Sequence, residues 1–301
     1  MSQNILVAIC SSHLHAARRE AVRDTWLRRL PTTIQARFFL GDGPNVTEND
    51  SVLFPVDDSY EALPAKVQAF FQHALEHYDF DYLFKCDEDT YLYPTRLQEL
   101  VAPNCELLGS QDGAQHCYAY GGAGYLLTRR AVQIVAQAPT PETGAEDVWV
   151  SRTLIAAGIK PYYTPRLVGT RRDFPRPTND LVTSHHCSPA LLRLIDEGFD
   201  NPEAITVAHS FTLETPVGTW SVNLLRNGVF ASTTNGLLGR WRHFTNEEAI
   251  ELEWSLTAKA PDVLRKSTTG YENADISLTP MQEHRLQAGI CLPATGERSS
   301  A

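Results

Sequence analysis

The run Ile5, Leu6, Val7, Ala8 and Ile9 contains no polar residue and ends on Ser11-Ser12. A strand with a wetted face alternates, so an unbroken apolar run predicts a strand buried on both sides, as in a parallel sheet between helices. The following segments repeat the theme. Over 16–30, Ala17, Ala21, Val22, Thr25 and Trp26 trace one helical face, while Arg18, Arg19 and Arg23 line much of the rest. A short strand at 37–40 is closed by Gly41-Asp42-Gly43, and a helix over 60–78 is entered through Asp58-Ser59 with Pro64 in its opening turns. A strand at 82–86 comes next. This order predicts an α/β fold, a mostly parallel sheet with helices on both faces. Ligands of such sheets lie beyond the carboxyl ends of the strands, so Ser11-Ser12, Gly41-Asp42 and Asp87-Glu88-Asp89 should gather at one rim.

Asp87-Glu88-Asp89 stands between the apolar run Tyr82-Leu83-Phe84 and Tyr91-Leu92-Tyr93. An isolated acidic triplet is often a solvated turn. At a strand end, three adjacent carboxylates repel and coexist best around a cation. Hard oxygen ligands suit Mg²⁺ or Mn²⁺, the ions that accompany diphosphates. A helix at 94–101, a glycine-rich loop and a helix capped by Thr128 follow.

Past residue 200 the texture changes to short β-type runs at 206–213, 219–225, 229–232, 238–242 and 249–256. They are split by Pro216-Val217-Gly218, Asn227-Gly228 and Asn235-Gly236, turn signals of antiparallel hairpins. The expected division is an α/β domain at 1–200, a mainly antiparallel β module at 201–288 and a loose tail at 289–301. Trp220, Trp241 and Trp254 sit on the β runs. They could offer a sugar-binding face, but the reading preferred is that they fill the core of the module.

The 301 residues carry a net charge of -10 with no basic run, which argues against nucleic acid as a partner. Six scattered cysteines lack the spacing of a zinc site. Cys10 and Cys86 read as small buried hydrophobes, and a Cys105–Cys117 bridge is the minor alternative to free thiols. No apolar run approaches the ~20 residues of a membrane helix, and no signal peptide precedes the first strand, so a cytoplasmic location is the expectation.

Several segments, in order, resemble the β-1,3-galactosyltransferase family, which includes Fringe-type enzymes. They are Arg18-Arg19-Glu20-Ala21-Val22-Arg23-Asp24-Thr25-Trp26, Asp58-Ser59-Tyr60 with Leu63 and Lys66, Lys85-Cys86-Asp87-Glu88-Asp89, Gly121 to Thr128, and Glu146-Asp147-Val148-Trp149-Val150. The resemblance spans roughly 4–197. It implies a GT-A fold and an inverting glycosyltransferase that uses a UDP-sugar and Mn²⁺ or Mg²⁺. The acceptor would be a sugar hydroxyl of a glycan, glycolipid or polysaccharide precursor, and the product a β-1,3 linkage in that family's manner.

In that role Asp89 is the expected direct metal ligand, with Asp87 on the metal, its water or the ribose. Glu88 could point either way. Asp180-Leu181-Val182-Thr183-Ser184-His185-His186-Cys187 resembles the family segment whose histidine completes the metal site. This favours His185, with His186 and His209 left open. Asp147 is the expected general base, Glu146 its reserve, unless both merely favour a helix start. Ser11, Arg19, Arg23, Asp58 and Lys66 are expected around the nucleotide, through forks and a point charge, although the arginines could instead pair with acids on or near their own helix. Gly122 and Gly124 would allow close approach to the donor sugar, or else make a tight turn. Tyr125 and Trp149 could stack on sugars or pack.

Two other classes fit parts of the sequence. Asp87-Glu88-Asp89-Thr90 matches the Asp-x-Asp-x-Thr of haloacid-dehalogenase-type phosphatases, with Asp87 as nucleophile and Asp89 as acid, but that motif normally closes the first strand of its domain. A non-catalytic carbohydrate-binding protein would need no metal.

Overall fold

The structure is a computed structural model and describes residues 3–102, 104–110, 117–142, 144–169, 179–201, 206–225, 229–231, 238–244, 249–254, 262–273, 277–280 and 292–293. The α/β part runs β1 (Ile5–Cys10), α1 (Ala16–Asp24), β2 (Ile34–Leu40), β3 (Val46–Glu48), β4 (Ser51–Leu53), α2 (Leu63–His77), β5 (Tyr82–Asp87) and β6 (Tyr91–Leu92). It continues with α3 (Pro94–Leu97), β7 (Leu107–Ser110), β8 (Tyr125–Thr128), α4 (Arg129–Gln137), α5 (Glu146–Ala156), β9 (Pro161–Thr164), β10 (Leu167–Val168), β11 (Thr183–Ser184) and α6 (Pro189–Asp200).

β1 is buried along its whole length, as its composition demands. Its side chains alternate between two cores. Ile5, Val7 and Ile9 pack with Ala21, Val22 and Trp26 of the first helical segment and with Leu191, Leu192 and Ile195 of α6. Leu6, Ala8 and Cys10 pack with Val67, Phe70 and Phe71 of α2, Val132 and Val135 of α4, and Val150 and Leu154 of α5. Helices therefore cover both faces, as expected.

The sheet is mostly parallel, as expected, with β3, β8 and the short edge strand at Leu292–Pro293 running against the others. Its order is β3-β4-β2-β1-β5-β8-β7-β9, and β20 (Leu292–Pro293) pairs on the far edge with β9. Strands β4, β2, β1 and β5 are mutually parallel, but β8 runs antiparallel to both β5 and β7. The reason is local. β8 follows β7 with no crossover helix among the described residues between them, and it doubles back between β7 and β5. Leu292 and Pro293 fall in the stretch read as a loose tail; the rest of that stretch lies outside the described residues.

The helix expected over 16–30 breaks at Thr25, whose hydroxyl turns back to donate to the Ala21 carbonyl at 2.6 Å, and continues as a 3₁₀ turn at Trp26–Arg29. The 94–101 helix likewise stops early, as Pro94–Leu97 followed by a 3₁₀ turn. Thr128 caps α4 by accepting from the Ala131 amide. Strands β3, β4, β7, β8, β9, β10 and β11 and helix α6 were not expected, β8 falling in the stretch read as a glycine-rich loop, although Ser188-Pro189 carries an N-cap signal and Ser188 does cap α6.

The β module is a closed barrel of successive antiparallel strands. These are β12 (Val207–Thr215), β13 (Gly218–Leu225), β14 (Val229–Ala231), β15 (Leu238–Phe244), β16 (Ala249–Trp254), β17 (Asp262–Lys266), β18 (Tyr271–Glu272) and β19 (Ser277–Pro280), with β19 returning to β12. Closure removes the exposed edges of a small sheet. Phe211, Leu213, Leu224, Phe230, Ile250 and Leu264 fill it, with Trp220, Trp241 and Tyr271 packed against them. Two of the three tryptophans thus serve the core; the Trp254 side chain and both Asn-Gly turns lie outside the described residues. Leu225 and Ala231 of the barrel join the α/β core, so the two parts share packing. No helix among the described residues is long and apolar enough to cross a membrane.

Trp26 ties this frame to the acidic triplet. Its ring is fully buried and its Nε1–H donates to the Thr90 carbonyl at 3.1 Å. Trp26→Ala should cost about 3–5 kcal/mol by cavity formation. Trp26→Phe should cost about 1–3 kcal/mol, because a buried carbonyl loses its donor. Urea unfolding of both variants measures the difference.

Candidate active site

The carboxyl ends of β1, β2 and β5 meet at one rim, and the loop after β5 is pinned there by its backbone. The Glu88 amide donates to the Cys10 carbonyl at 3.1 Å, the Thr90 amide to Asp87 at 3.1 Å, and the Cys187 amide to Asp89 at 2.8 Å. The Thr90 hydroxyl donates to the Gly122 carbonyl at 2.6 Å, which draws the glycine-rich loop to the triplet. Glu88 and Asp89 are mostly buried, with side-chain exposures of 7% and 13%, whereas Asp87 keeps 32%. The triplet is therefore not a solvated turn.

Each carboxylate has a basic partner, and Glu88 and Asp89 share one. Asp87 Oδ1 accepts from Lys85 Nζ at 2.8 Å. Glu88 Oε1 lies 2.5 Å from His15 Nδ1 and 3.2 Å from Arg18 Nη1. Asp89 Oδ1 lies 3.0 Å from His185 Nε2, and Asp89 Oδ2 3.3 Å from the same Arg18 nitrogen. Burial, together with the charges of Asp87 and Asp89, pushes Glu88 up to about 7. Burial also opposes the Asp89 carboxylate, but the His185 hydrogen bond and the His185 and Arg18 charges hold it below its ordinary value.

Asp89, His185 and His186 bring one ligand atom each within 4.8 Å of one another, the group among the described residues that could hold a metal ion. His185 is buried and its Nδ1 has no hydrogen-bond partner, an orphaned donor set of the kind a cation would satisfy. One carboxylate and two imidazoles suit Mn²⁺ better than Mg²⁺, which prefers oxygen. The residues fit the group. His186 reaches it with φ 61°, in the left-handed region, and its ring lies 3.7 Å from that of His185; the conformation costs on the order of 1 kcal/mol. The histidine beside His185, left open in the sequence, is thus brought to Asp89. Asp87 stands just outside, its Oδ2 3.9 Å from His185 Nε2. His209 lies on β12 of the barrel, against Phe211 and Trp241, and is not part of the group.

Asp147 sits in the first turn of α5, and its Oδ2 accepts from the Gly121 amide at 2.9 Å. Gly121 and Gly122 thereby connect the Asp147 carboxylate to the metal-type group. A Cβ at Gly122 would overlap the His185 ring, so the absent side chain admits the imidazole. Gly124, with φ 99°, packs against Phe84, which a Cβ there would overlap. Glu146 points inward, with Oε1 accepting from Tyr125 at 2.7 Å and Oε2 3.3 Å from Lys85 Nζ; burial pushes it up to about 7 against the pull of Lys85. Fully buried Tyr125 is thus a packing and orienting residue, and Trp149 donates to the Pro139 carbonyl at 3.1 Å.

A second polar cluster adjoins the rim. Buried Lys66 donates to the Ser11 carbonyl at 2.9 Å and to Asp58 Oδ1 at 2.8 Å, and Asp58 also accepts from the His13 and Gly41 amides. Arg19 donates to the Ser11 hydroxyl at 3.0 Å and to the Ser12 carbonyl. Ser11, Arg19, Asp58 and Lys66 therefore come together as expected. Arg23 does not join them: it forks on Asp50 at 2.8 and 2.9 Å and lies 4.9 Å from the centre of the Phe38 ring. Cys105 and Cys117 are not joined by a disulfide. Sequence reasoning assigned no role to His15, Arg18, Lys85 or Tyr120. Lys85 and Arg18 sat inside quoted motifs; Tyr120, whose hydroxyl is 3.4 Å from His186 Nε2, carried no signal.

Gly122→Ala should displace the His185 ring and weaken Mn²⁺ binding about tenfold or more, read by calorimetric titration. Asp58→Asn should cost about 3 kcal/mol at pH 7, because it strands a buried ammonium. Burial works against the Asp58 carboxylate, yet Lys66 and the two amides hold it below 3.8. Its stabilisation is complete above that value and fades as pH falls through the lower folded-state value, so the deficit of the variant should shrink toward pH 3 in denaturant titrations.

Residues 17–118 match the sequence model of the galactosyltransferase family. Over 116 residues the chain is 35% identical to a probable beta-1,3-galactosyltransferase 13 of Arabidopsis thaliana, an alignment covering 32% of this chain and 34% of that one. It is 34% identical over 104 residues to the beta-1,3-galactosyltransferase 6 of Mus musculus, covering 29% of this chain and 32% of that one. The chain thus spans about a third of the length of these curated relatives. Solved structures give distant likenesses of shape. The mannosyltransferase PcManGT from Pyrobaculum calidifontis, in complex with GDP-Man and Mn2+, has a TM-score of 0.39 at 11% identity, covering 54% of each chain. The galactosyltransferase LgtC, in complex with donor and acceptor sugar analogs, has 0.35 at 15% identity, covering 62% of this chain and 88% of that one. The matched span carries Arg18, Asp58, Lys66 and the acidic triplet, while Gly122, Asp147 and His185 lie beyond it. Over residues 17–118 the chain is thus similar to galactosyltransferases, and the relatives it matches there include probable β-1,3-galactosyltransferases.

Proposed function

We propose that this chain is a metal-dependent inverting glycosyltransferase. It moves a hexose or N-acetylhexosamine from a UDP-sugar to a hydroxyl of a carbohydrate acceptor and forms a β-1,3 linkage. The observation that carries this reading is the joining, through Gly121-Gly122, of a metal-type group (Asp89, His185, His186) to the anchored carboxylate of Asp147 on α5.

Asp89 and the two histidines would hold a Mn²⁺ ion, whose chemistry is to neutralise the charge that develops on a departing diphosphate. Ser11, Arg19, Asp58 and Lys66 are the groups proposed to hold the nucleotide. Asp147 takes the proton from the acceptor hydroxyl as that oxygen attacks the face opposite the leaving group. One base suffices for a single displacement, and Glu146, buried and bonded to Tyr125 and Lys85, is left to orient Lys85. A phosphatase reading asks Asp87 to be a free nucleophile on the first strand. Here it sits on β5 with Lys85 on one oxygen. The packing of Trp220 and Trp241 against the barrel core likewise lends no support to a purely sugar-binding protein.

Purified protein incubated with Mn²⁺, a panel of UDP-sugars and glycan acceptors should release UDP and form a β-linked product; absence of both with every donor would refute the reading. Asp147→Asn should lower kcat by about 10²–10⁴-fold while keeping Mn²⁺-dependent UDP binding. Asp89→Ala should lose that binding. Turnover and calorimetry on the two variants separate base from metal ligand.

A further inference from the structure

Three arginines lie on α1, and each is held differently. Arg19 is committed to Ser11 and Ser12, and Arg23 to Asp50 and the Phe38 ring. Arg18 alone of the three reaches the acidic triplet, where one nitrogen is shared between Glu88 Oε1 at 3.2 Å and Asp89 Oδ2 at 3.3 Å. A single nitrogen split between two carboxylates at these lengths is a looser hold than the two-pronged fork arginine makes on one carboxylate. Its side chain is 37% exposed, while Glu88 and Asp89 are 7% and 13% exposed, so Arg18 enters the site from the solvent side.

The charges explain why it is there. Asp87, Glu88, Asp89 and Glu146 are four carboxylates at the rim, and Lys85 is bound between Asp87 and Glu146. For Glu88 and Asp89, Arg18 is the one partner whose charge does not depend on protonation, since the others are His15 and His185. With His185 on Oδ1 and Arg18 on Oδ2, both oxygens of Asp89 are engaged. A divalent cation at Asp89 would place a second positive centre against the guanidinium, and the two repel.

We propose that Arg18 is the internal counter-ion of the cation site. It neutralises Asp89 and Glu88 while the site is empty of metal, gives up Asp89 when a divalent cation binds, and offers the freed N–H groups to the diphosphate of the nucleotide. The inference rests on the metal-dependent donor reading above. It makes Arg18 the residue that couples loading of the metal to loading of the nucleotide, with opposite effects on the two.

The test titrates Mn²⁺ alone into the natural chain, Arg18→Gln and Asp89→Ala by calorimetry, then titrates UDP at saturating Mn²⁺. Arg18→Gln should bind Mn²⁺ about tenfold more tightly, because a competing charge is gone, and UDP about tenfold more weakly. A variant that had merely lost structure would weaken both. If the natural chain binds Mn²⁺ through Asp89 but Arg18→Gln binds it no more tightly, or binds UDP equally well, the counter-ion role is overturned. If Mn²⁺ binds none of the proteins, or binds them regardless of Asp89, the metal reading itself falls and takes this inference with it.

Discussion

A buried ammonium holds the rim together. Lys85 projects from β5 into the core between the sheet and α5, and it is 2% exposed. Burial disfavours its charge, yet Asp87 and Glu146 overcome that and raise its pKa well above the ordinary lysine value. Its Nζ reaches Asp87 at 2.8 Å, Glu146 at 3.3 Å and the Gly121 carbonyl at 3.4 Å. One side chain thus fixes three elements: the strand that runs into the triplet, the helix that starts with Glu146 and the glycine-rich loop between them. A buried pair of this kind adds little net stability, but stranding either partner is costly, so its geometry is tightly constrained.

From this point the site divides by strand alternation. Lys85 and Asp87 face the side of α2 and α5, while Glu88 turns toward His15 and Arg18 at α1. Asp89 lies beneath His185, which folds in after β11 and rests against Gly122. The triplet is therefore three carboxylates with different sets of partners, Arg18 being common to Glu88 and Asp89, rather than one acidic surface. This is how adjacent like charges coexist at a rim with little water. Asp196 secures the far side: it accepts from Arg28, Arg29 and Tyr91, and so binds α6 to the segment just after the triplet.

The central part of the fold was legible because burial on two faces leaves a clear mark in composition. Ile5, Leu6, Val7, Ala8 and Ile9 have no polar residue to place, and β1 is buried throughout. Asp58, Lys66 and Ser11 gathered at the strand ends, as the topology of a parallel unit requires. β8 was read as part of the glycine-rich loop, because Tyr125, Leu126 and Leu127 are too few to show a strand period, and its antiparallel direction depends on which strands it joins. Strands β10 and β11, two residues each, are too short to show a period. Arg23 followed the expected motif but found Asp50, a partner on the loop before β4 that no spacing rule connects to it.

By itself the sequence determined the kinds of chemistry available: carboxylates at a strand end, a late pair of histidines and an acid at a helix start. It did so because strand and helix signals are local and those residues sit at their boundaries. Only the tertiary structure decided which of them meet. His186 joined Asp89 and His185 while Asp87 went to Lys85, Glu146 turned inward while Asp147 turned to Gly121, and Arg18 rather than Arg23 reached the triplet. These choices are made by long-range packing and by the cost of leaving a buried charge alone, neither of which is written in the spacing of a single segment.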